Sequence, residues 1–400
     1  MSISKILCTT TSYPPAVGGA QLHTHEILKR LTDRHSIQVI THWDENRTDW
    51  LLGTTLKAPV EPKSYIIEGI PVELITLTSN ERRRLFPYVL GYYAFKPLAI
   101  RHIAQAFAVK MERFAQNCDL IHNARIGREP LSFASLQVAR QLDIPFIFVP
   151  YHHPRWVGWN YWEYLKLYRQ ADALIALTRA EKEILIELGV DERRIFVTGM
   201  GPILADSANP DRFRQNLNLP AQVPLILFLG QKYRYKGIET LAAAAKQVWT
   251  HWPEAHFLFI GPRTSFSKKF FARQQDQRLV EVGTVDLQTK TDALAACTLL
   301  CLPSTQESFG GVFTEAWLLG KPVIGADIPA IREVIDDEVN GYLTLPQAEA
   351  IATKICFLLD NPAVAQKLGQ AGRAKTLAHY TWEKLAQKTE EIYTKVRQGA

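Results

Sequence analysis

Short apolar runs, almost free of polar alternation, recur along this chain and are separated by stretches of helical period. KILCTT, SIQVITH, CDLIHN, PFIFVPY, ALIALT and RIFVTG are such runs in the first half, and PLILFLG, HFLFIGP, LLCLPS and PVIGA in the second. A strand that is apolar on both faces belongs inside a parallel sheet covered by helices on each side. The intervening segments Leu22–Arg30, Leu131–Gln141, Ala180–Leu188, Ile238–Trp249 and Gly311–Leu319 carry the helical spacing that would cover it. The chain has 400 residues, more than one hydrophobic core of this kind usually holds, so two α/β domains are expected. The Pro-, Asn- and Asp-rich stretch over 200–222 places their boundary, giving domains 1–200 and 201–381. A last segment, 382–400, follows the break at His379–Thr381; it carries a helix over about 382–397 and is expected to return to the first domain.

Composition narrows the function classes. Forty-six Lys and Arg against 40 Asp and Glu leave +6, spread as 24 − 20 = +4 before residue 201 and 22 − 20 = +2 after it. No concentrated basic face is implied, which speaks against nucleic acid as the partner. Five cysteines, Cys8, Cys118, Cys297, Cys301 and Cys356, do not form a disulfide framework. The opening MSISKILCTTTSYPP reads as a buried first strand, and no apolar run reaches membrane-spanning length. A cytoplasmic protein, or one attached peripherally to the inner face of a membrane, is expected. The segment Ser79–Phe114 joins Arg82, Arg83 and Arg84 to many aromatics. It reads either as a solvated basic turn before a core helix, or as a surface for anionic lipid or the lining of an acceptor groove.

The stretch PSTQESFGGVFTEAWLLGKPVIGA, Pro303–Ala326, carries the most chemistry. It reads as strand end, loop, helix, turn and strand. The loop lies at the carboxyl end of a parallel strand, where open α/β sheets bind ligands. Gly310 and Gly311 allow close backbone approach, and the helix that begins there offers free N–H groups to a phosphate. Glu307 and Glu315 stand eight residues apart. With 24 Glu in the chain, chance alone gives about one and a half such pairs. Three exist, Glu73/Glu81, Glu307/Glu315 and Glu383/Glu391, and only the middle one brackets a strand end, a glycine loop and a helix. Glu307 suits a sugar at the loop tip, and Glu315 suits ribose hydroxyls.

Two further loops fit the same purpose. In FLGQKYRYKGIETL, Lys232, Arg234 and Lys236 follow the strand-end Gly230 and could neutralise a diphosphate. Gly18 and Gly19 sit between the first strand and the first helix. Neither G-x-G-x-x-G nor G-x-x-x-x-G-K occurs.

Together these residues resemble the family-4 glycosyltransferases, retaining enzymes of the GT-B architecture in which two Rossmann-like domains face each other across a cleft. The likeness spans essentially the whole chain and is strongest at ESFGGVFTE, the family's E-x7-E signature, with PS before it and GKPVI after it. The Lys236–Gly237, Gly261–Pro262 and Gly18–Gly19 pairs and the late HYTWEKLAQKTEEIY helix fall where the family has them. The resemblance implies a nucleotide-sugar donor on the second domain and a glycan, lipid-linked or small-molecule acceptor on the first. It implies that Glu307 contacts the transferred sugar, Glu315 the ribose and Lys236 the diphosphate. Backbone groups around Phe309, Gly310, Gly311 and Val312, and at Gly18–Gly19, would hold phosphate oxygens. No D-x-D occurs, and the family generally works without a metal or other cofactor.

Two positions depart from the family pattern. Gln231 stands where a cation often follows the strand-end glycine, so Lys232 or Arg234 would replace that charge. In Asp119–Ala124 the family's second histidine is Ala124, which leaves His122, or His152 and His153, to serve at the donor sugar; for each, a satisfied structural histidine is the competing reading. The aromatic run from His152 to Trp162, with Arg155, reads either as a packed cluster or as an acceptor surface. The alternatives to a sugar transferase are a sugar-nucleotide epimerase of the same architecture and a catalytically weak sugar-nucleotide-binding subunit.

Overall fold

A computed structural model describes residues 3–16, 18–44, 55–57, 59, 61–125, 130–152, 158–159, 161–220 and 222–398. The chain divides into two compact units, Met1–Gly199 with Trp382–Ala400, and Met200–Thr381.

The first unit is built on an eight-stranded sheet of β1 (Ser4–Thr10), β2 (His35–Thr41), β3 (Lys63–Ile67), β4 (Ile70–Leu74), β5 (Leu120–Ala124), β6 (Phe146–Val149), β7 (Ala173–Ala176) and β8 (Ile195–Val197). Their order is β3-β4-β2-β1-β5-β6-β7-β8. All neighbours run parallel except β3 and β4. That pair is a hairpin closed by Glu68 and Gly69, with φ of 46° and 80°, the left-handed twist a two-residue turn requires. Residues of β5, β6 and β7 are buried throughout, as expected of strands covered on both faces. The covering helices include α1 (Gly19–Lys29), α2 (Ser79–Leu90), α3 (Lys96–Ala115), α4 (Leu131–Gln141) and α5 (Trp162–Gln170). Phe107, Met111, Leu131, Val138, Phe146, Phe148 and Leu174 meet in the core between them.

The second unit carries β9 (Leu225–Leu229), β10 (His256–Ile260), β11 (Leu279–Val282), β12 (Leu299–Leu302), β13 (Val323–Ala326) and β14 (Tyr342–Thr344), all parallel, in the order β11-β10-β9-β12-β13-β14. This is the doubly wound order of a dinucleotide-binding fold, with its switch point between β9 and β12. The helices that matter for its ligand edge are α6 (Ile238–Val248), α7 (Leu287–Ala296) and α8 (Gly311–Leu318). The chain therefore has the expected α/β class with two largely parallel sheets.

The final helix, α9 (Trp382–Arg397), belongs to the first unit. Its apolar face buries Trp382, Leu385, Ile392 and Tyr393. Glu390, buried on the flank of the same face, fastens the helix by accepting hydrogen bonds from Arg34 and from His35 Nε2 at 2.9 Å. Among the described residues, no helix is long and apolar enough to cross a membrane.

Candidate functional site

The switch point of the second sheet is where connections leave in opposite directions, and such a point opens a crevice at the carboxyl ends of its two strands. Lys236 follows β9 and Glu307 follows β12, so topology alone brings the two loops together. Their backbones are fastened at two points. Thr305 donates its N–H (2.8 Å) and its hydroxyl (3.2 Å) to the Tyr235 carbonyl. Gly237 has φ 77°, and a Cβ there would lie 2.4 Å from the Pro303 carbonyl oxygen, so only glycine lets the loops close to this distance. Lys236 Nζ then donates to Glu307 Oε1 at 2.6 Å, both side chains being largely buried.

Beyond Glu307 the chain turns through Gly310, which takes φ 77° at the N-cap of α8. The amides of Gly311 and Val312 occupy the first turn, where a helix has no carbonyl of its own to offer. No acidic side chain occupies that turn, so the positive end of the helix is not neutralised locally. The Phe309 side chain is buried edge-on against Tyr380 at 5.2 Å, which leaves only its backbone for a ligand.

Glu315, one helical step further in, is buried. Its Oε1 accepts from Lys290 Nζ at 2.8 Å and from the Ile203 N–H at 3.4 Å. Lys290 also donates to the Ile203 carbonyl at 2.6 Å. Glu315 Oε2 is enclosed and has no hydrogen-bond partner among the described residues. An acceptor left this way costs about 1–3 kcal/mol, which a ligand hydroxyl would recover.

The cations after β9 separate into distinct roles. Lys232 is fully enclosed, and its ammonium donates to Glu281, to the Val282 carbonyl at 2.5 Å and to the Phe259 carbonyl at 3.3 Å. Burial pulls its pKa down, opposed by the hydrogen bond and charge of Glu281. Burial also raises Glu281, but hydrogen bonds from Arg263 and Lys232 outweigh it and hold the carboxylate below its usual range. Lys232 therefore stitches the ends of β10 and β11 together and does not face the crevice, because it lies where a counter-ion and two carbonyls already saturate it. Arg234 is exposed, 3.8 Å from Glu239 and 4.7 Å from the Phe266 ring, and so remains available to an anion.

Two profiles match the chain in series: Glycosyltransferase Family 4 over residues 17–201 and Glycosyl transferases group 1 over 209–375. The chain belongs to glycosyltransferase family 4. Curated relatives include D-inositol 3-phosphate glycosyltransferase of Xylanimonas cellulosilytica, 31% identical over 56% of this chain and 57% of the relative. Sulfoquinovosyl transferase of Arabidopsis thaliana is 28% identical over 79% and 63%. Phosphatidyl-myo-inositol mannosyltransferase of Mycobacterium tuberculosis is 30% identical over 44% and 48%. The chain thus spans about half to three fifths of the length of these relatives. Among solved structures, Anabaena HepE in complex with UDP-glucose shares the fold at TM-score 0.76 and 20% identity, covering 98% of this chain and 100% of that one. Sucrose-phosphate synthase of Thermosynechococcus elongatus does so at 0.75 and 20%, covering 99% and 100%.

In this family-4 chain the residues expected from the first unit are placed less uniformly. Gly18 and Gly19 stand at the start of α1, just past β1, at the ligand edge of their sheet. His122 lies inside β5, fully covered, and its Nδ1 pairs with the Tyr393 hydroxyl of α9 at 2.7 Å. Burial, with a smaller push from His23, takes its pKa down to about 3. It is a structural histidine that ties β5 to the last helix, because the alternation of the strand turns it toward that helix. His152 is also buried. Its backbone N–H donates to Glu181 Oε1 at 2.7 Å, and its ring Nδ1 lies 3.1 Å from the Tyr168 hydroxyl. Burial lifts the Glu181 carboxyl to about 7. His153 and Arg155 lie outside the described residues.

Sequence reasoning missed Lys290 and Glu281. Lys290 sits in LQTKTD on α7, 25 residues before Glu315, and no spacing rule links the two.

Proposed function

We propose that this chain is a retaining glycosyltransferase that moves a sugar from a UDP- or GDP-sugar to a hydroxyl of a glycan, lipid-linked or small-molecule acceptor. The observation that carries the reading is the Lys236–Glu307 pair, 2.6 Å apart at the switch point of the second sheet and beside the amino end of α8.

Sugar transfer breaks the bond between the anomeric carbon and the diphosphate oxygen, and the electron pair leaves with the diphosphate. The acceptor oxygen bonds to the same carbon with its configuration kept, and the acceptor proton goes to the departing diphosphate. Negative charge grows on that leaving group, so cations and amides already in place lower the barrier. Lys236 has three N–H donors and gives one to Glu307, which leaves two for diphosphate oxygens. The Gly311 and Val312 amides and the exposed Arg234 add to that field. Glu307 would accept from a sugar hydroxyl, and Glu315 Oε2 from a ribose hydroxyl. The second unit would hold most of the donor, with the Gly18–Gly19 backbone adding N–H groups for its phosphate oxygens, and the first unit would hold the acceptor. With this charge supplied by the protein, transfer would proceed in the presence of EDTA. The five cysteines are all free, which fits a reducing, cytoplasmic setting.

The test is a panel of nucleotide-sugars with Glu307→Ala and Lys236→Ala. Each variant is expected to lose transfer by about 10²–10³-fold or more while still melting cooperatively. Full activity in both would remove the site. Conversion of the donor with no acceptor present, with no free nucleotide released, would identify an epimerase instead.

A further inference from the structure

Residues 82–111 contain no Asp or Glu, but six Lys or Arg. The fold uses three of these internally. Arg82 donates to the Leu77, Leu56 and Pro59 carbonyls at 3.1, 3.0 and 2.9 Å and so anchors the start of α2. Lys96 donates to the Trp159 carbonyl and lies over its ring. Lys110 pairs with Glu81 at 2.9 Å. Arg83, Arg84 and Arg101 are exposed and make no ion pair among the described residues.

The turn between α2 and α3 is apolar on its outside. Phe86, Leu90, Tyr93, Phe95 and Leu98 are all exposed, Leu90 at 63% and Phe95 at 66%. Trp159 and Trp162, after β6, are exposed as well. The two stretches are joined: Tyr93 stacks on Trp159 with ring centroids 6.3 Å apart, and Lys96 bridges them. Seven of the 17 exposed large apolar side chains among the described residues therefore lie in this one region. A monomeric soluble surface rarely gathers them so.

Place adds meaning to the cluster. α3 leads into the parallel strand β5, so it runs against the strands and its beginning lies at their carboxyl edge. Trp159 and Trp162 come after β6, and the Lys96–Trp159 contact sets Trp159 beside the start of α3, at that same edge. This is also the edge that holds Gly18 and Gly19.

We propose that the tip of the α2–α3 hairpin, with Trp159 and Trp162, docks on an anionic lipid bilayer. The aromatic and leucine side chains would enter the headgroup boundary, while Arg83, Arg84 and Arg101 meet lipid phosphates. Unpaired arginines around an apolar tip, with no carboxylate in the hairpin between 82 and 111, complement that surface in both polarity and charge. The inference goes beyond the transferase reading and does not rest on it, since docking needs neither donor nor acceptor.

The experiment is vesicle flotation with the full chain. Vesicles of phosphatidylcholine alone are compared with vesicles that also contain phosphatidylglycerol, at low and high salt. The chain is expected to float with the anionic vesicles at low salt and to be released by high salt. The R83Q/R84Q/R101Q variant is expected to partition about a hundredfold more weakly. L90S/F95S is expected to lose flotation with an unchanged melting temperature. Three results would overturn the proposal: no flotation of the unmodified chain at low salt, equal flotation of all variants, or a dimer that L90S/F95S dissociates in a chain that never binds vesicles. The last would assign the patch to a second copy. Vesicle failure with intact sugar transfer would leave the enzyme reading standing, and the converse also holds.

Discussion

Gly237→Ala tests the link between fold and site most directly. At φ 77° an alanine pays a left-handed backbone cost of about 1–2 kcal/mol. Its Cβ would also stand 2.4 Å from the Pro303 carbonyl oxygen, 2.9 Å from Pro303 Cγ and 3.0 Å from Pro303 C. An ordinary carbon–oxygen contact is about 3.3 Å or more, so one loop must move by about 1 Å. Such overpacking costs about 1–3 kcal/mol. Gly320→Ala is the control, since φ is 69° and the nearest obstacle is the flexible Gln370 Nε2 at 3.1 Å. Both glycines belong to the 200–381 unit. The backbone cost and the lost unfolded-state freedom are therefore common to the two variants and drop out of their difference. Gly237→Ala is expected to be about 1–3 kcal/mol less stable than the control, roughly 5 °C in melting temperature. Pro303 leads directly to Glu307, so the displacement also separates the Lys236–Glu307 pair. A shift of about 1 Å at a reacting centre can cost about 10²-fold, and kcat/KM for sugar transfer should fall by that order, while Gly320→Ala stays within about twofold of the parent. The measurements are thermal melting and steady-state transfer on the same preparations. Equal melting and equal activity in the two variants would refute the idea that this glycine sets the spacing of the loops.

Three other outcomes are expected. Lys232→Met should cost about 3 kcal/mol in urea unfolding, because two carbonyls and Glu281 lose their buried donor; adding Glu281→Leu should cost less than the sum of the single changes, and strict additivity would show that the two do not act together. His122 is held neutral by burial down to about pH 3, whereas an unfolded chain protonates it near its ordinary 6.5. The unfolded state therefore takes up the proton first, and stability drains away as pH falls from 6.5 toward 3. His122→Gln should move acid unfolding to lower pH, and an unmoved midpoint would count against this assignment. Cutting the chain after Thr381 removes Trp382, Leu385, Ile392 and Tyr393 from the core. At about 2 kcal/mol each, that approaches the whole stability of a domain. The shortened chain should be insoluble or rapidly proteolysed, and a soluble one with unchanged melting would contradict the packing described.

The central strands were legible in the sequence because burial on both faces removes polar alternation, as in LILFL of β9 and LLCL of β12. Strands β3, β4 and β11, at or beside the sheet edges, escaped the same reading, although RIFVTG of the edge strand β8 did not. KSYII and IPVEL of β3 and β4, and LVEV of β11, mix polar and half-exposed positions that look like loops. The Glu68–Gly69 turn between the first two was the one local signal of a hairpin. The glutamate loop was legible because strand end, paired glycines and helix start are contiguous. The sorting of Lys232, Arg234 and Lys236 was not. Their spacing is that of an irregular loop, and the Glu281 that draws Lys232 inward is 49 residues away.

The two α/β sheets and the chemistry of the loops after β9 and β12 are written in short runs of neighbouring residues, which is why they can be read along the chain. Which charges meet depends on how distant segments fold together. Lys236 reaches Glu307, Lys290 reaches Glu315, Lys232 is spent on Glu281, and His122 turns to the last helix. Each of those pairings joins segments far apart in the chain, and side-chain charge acts over a few ångströms of space, whatever the separation in sequence.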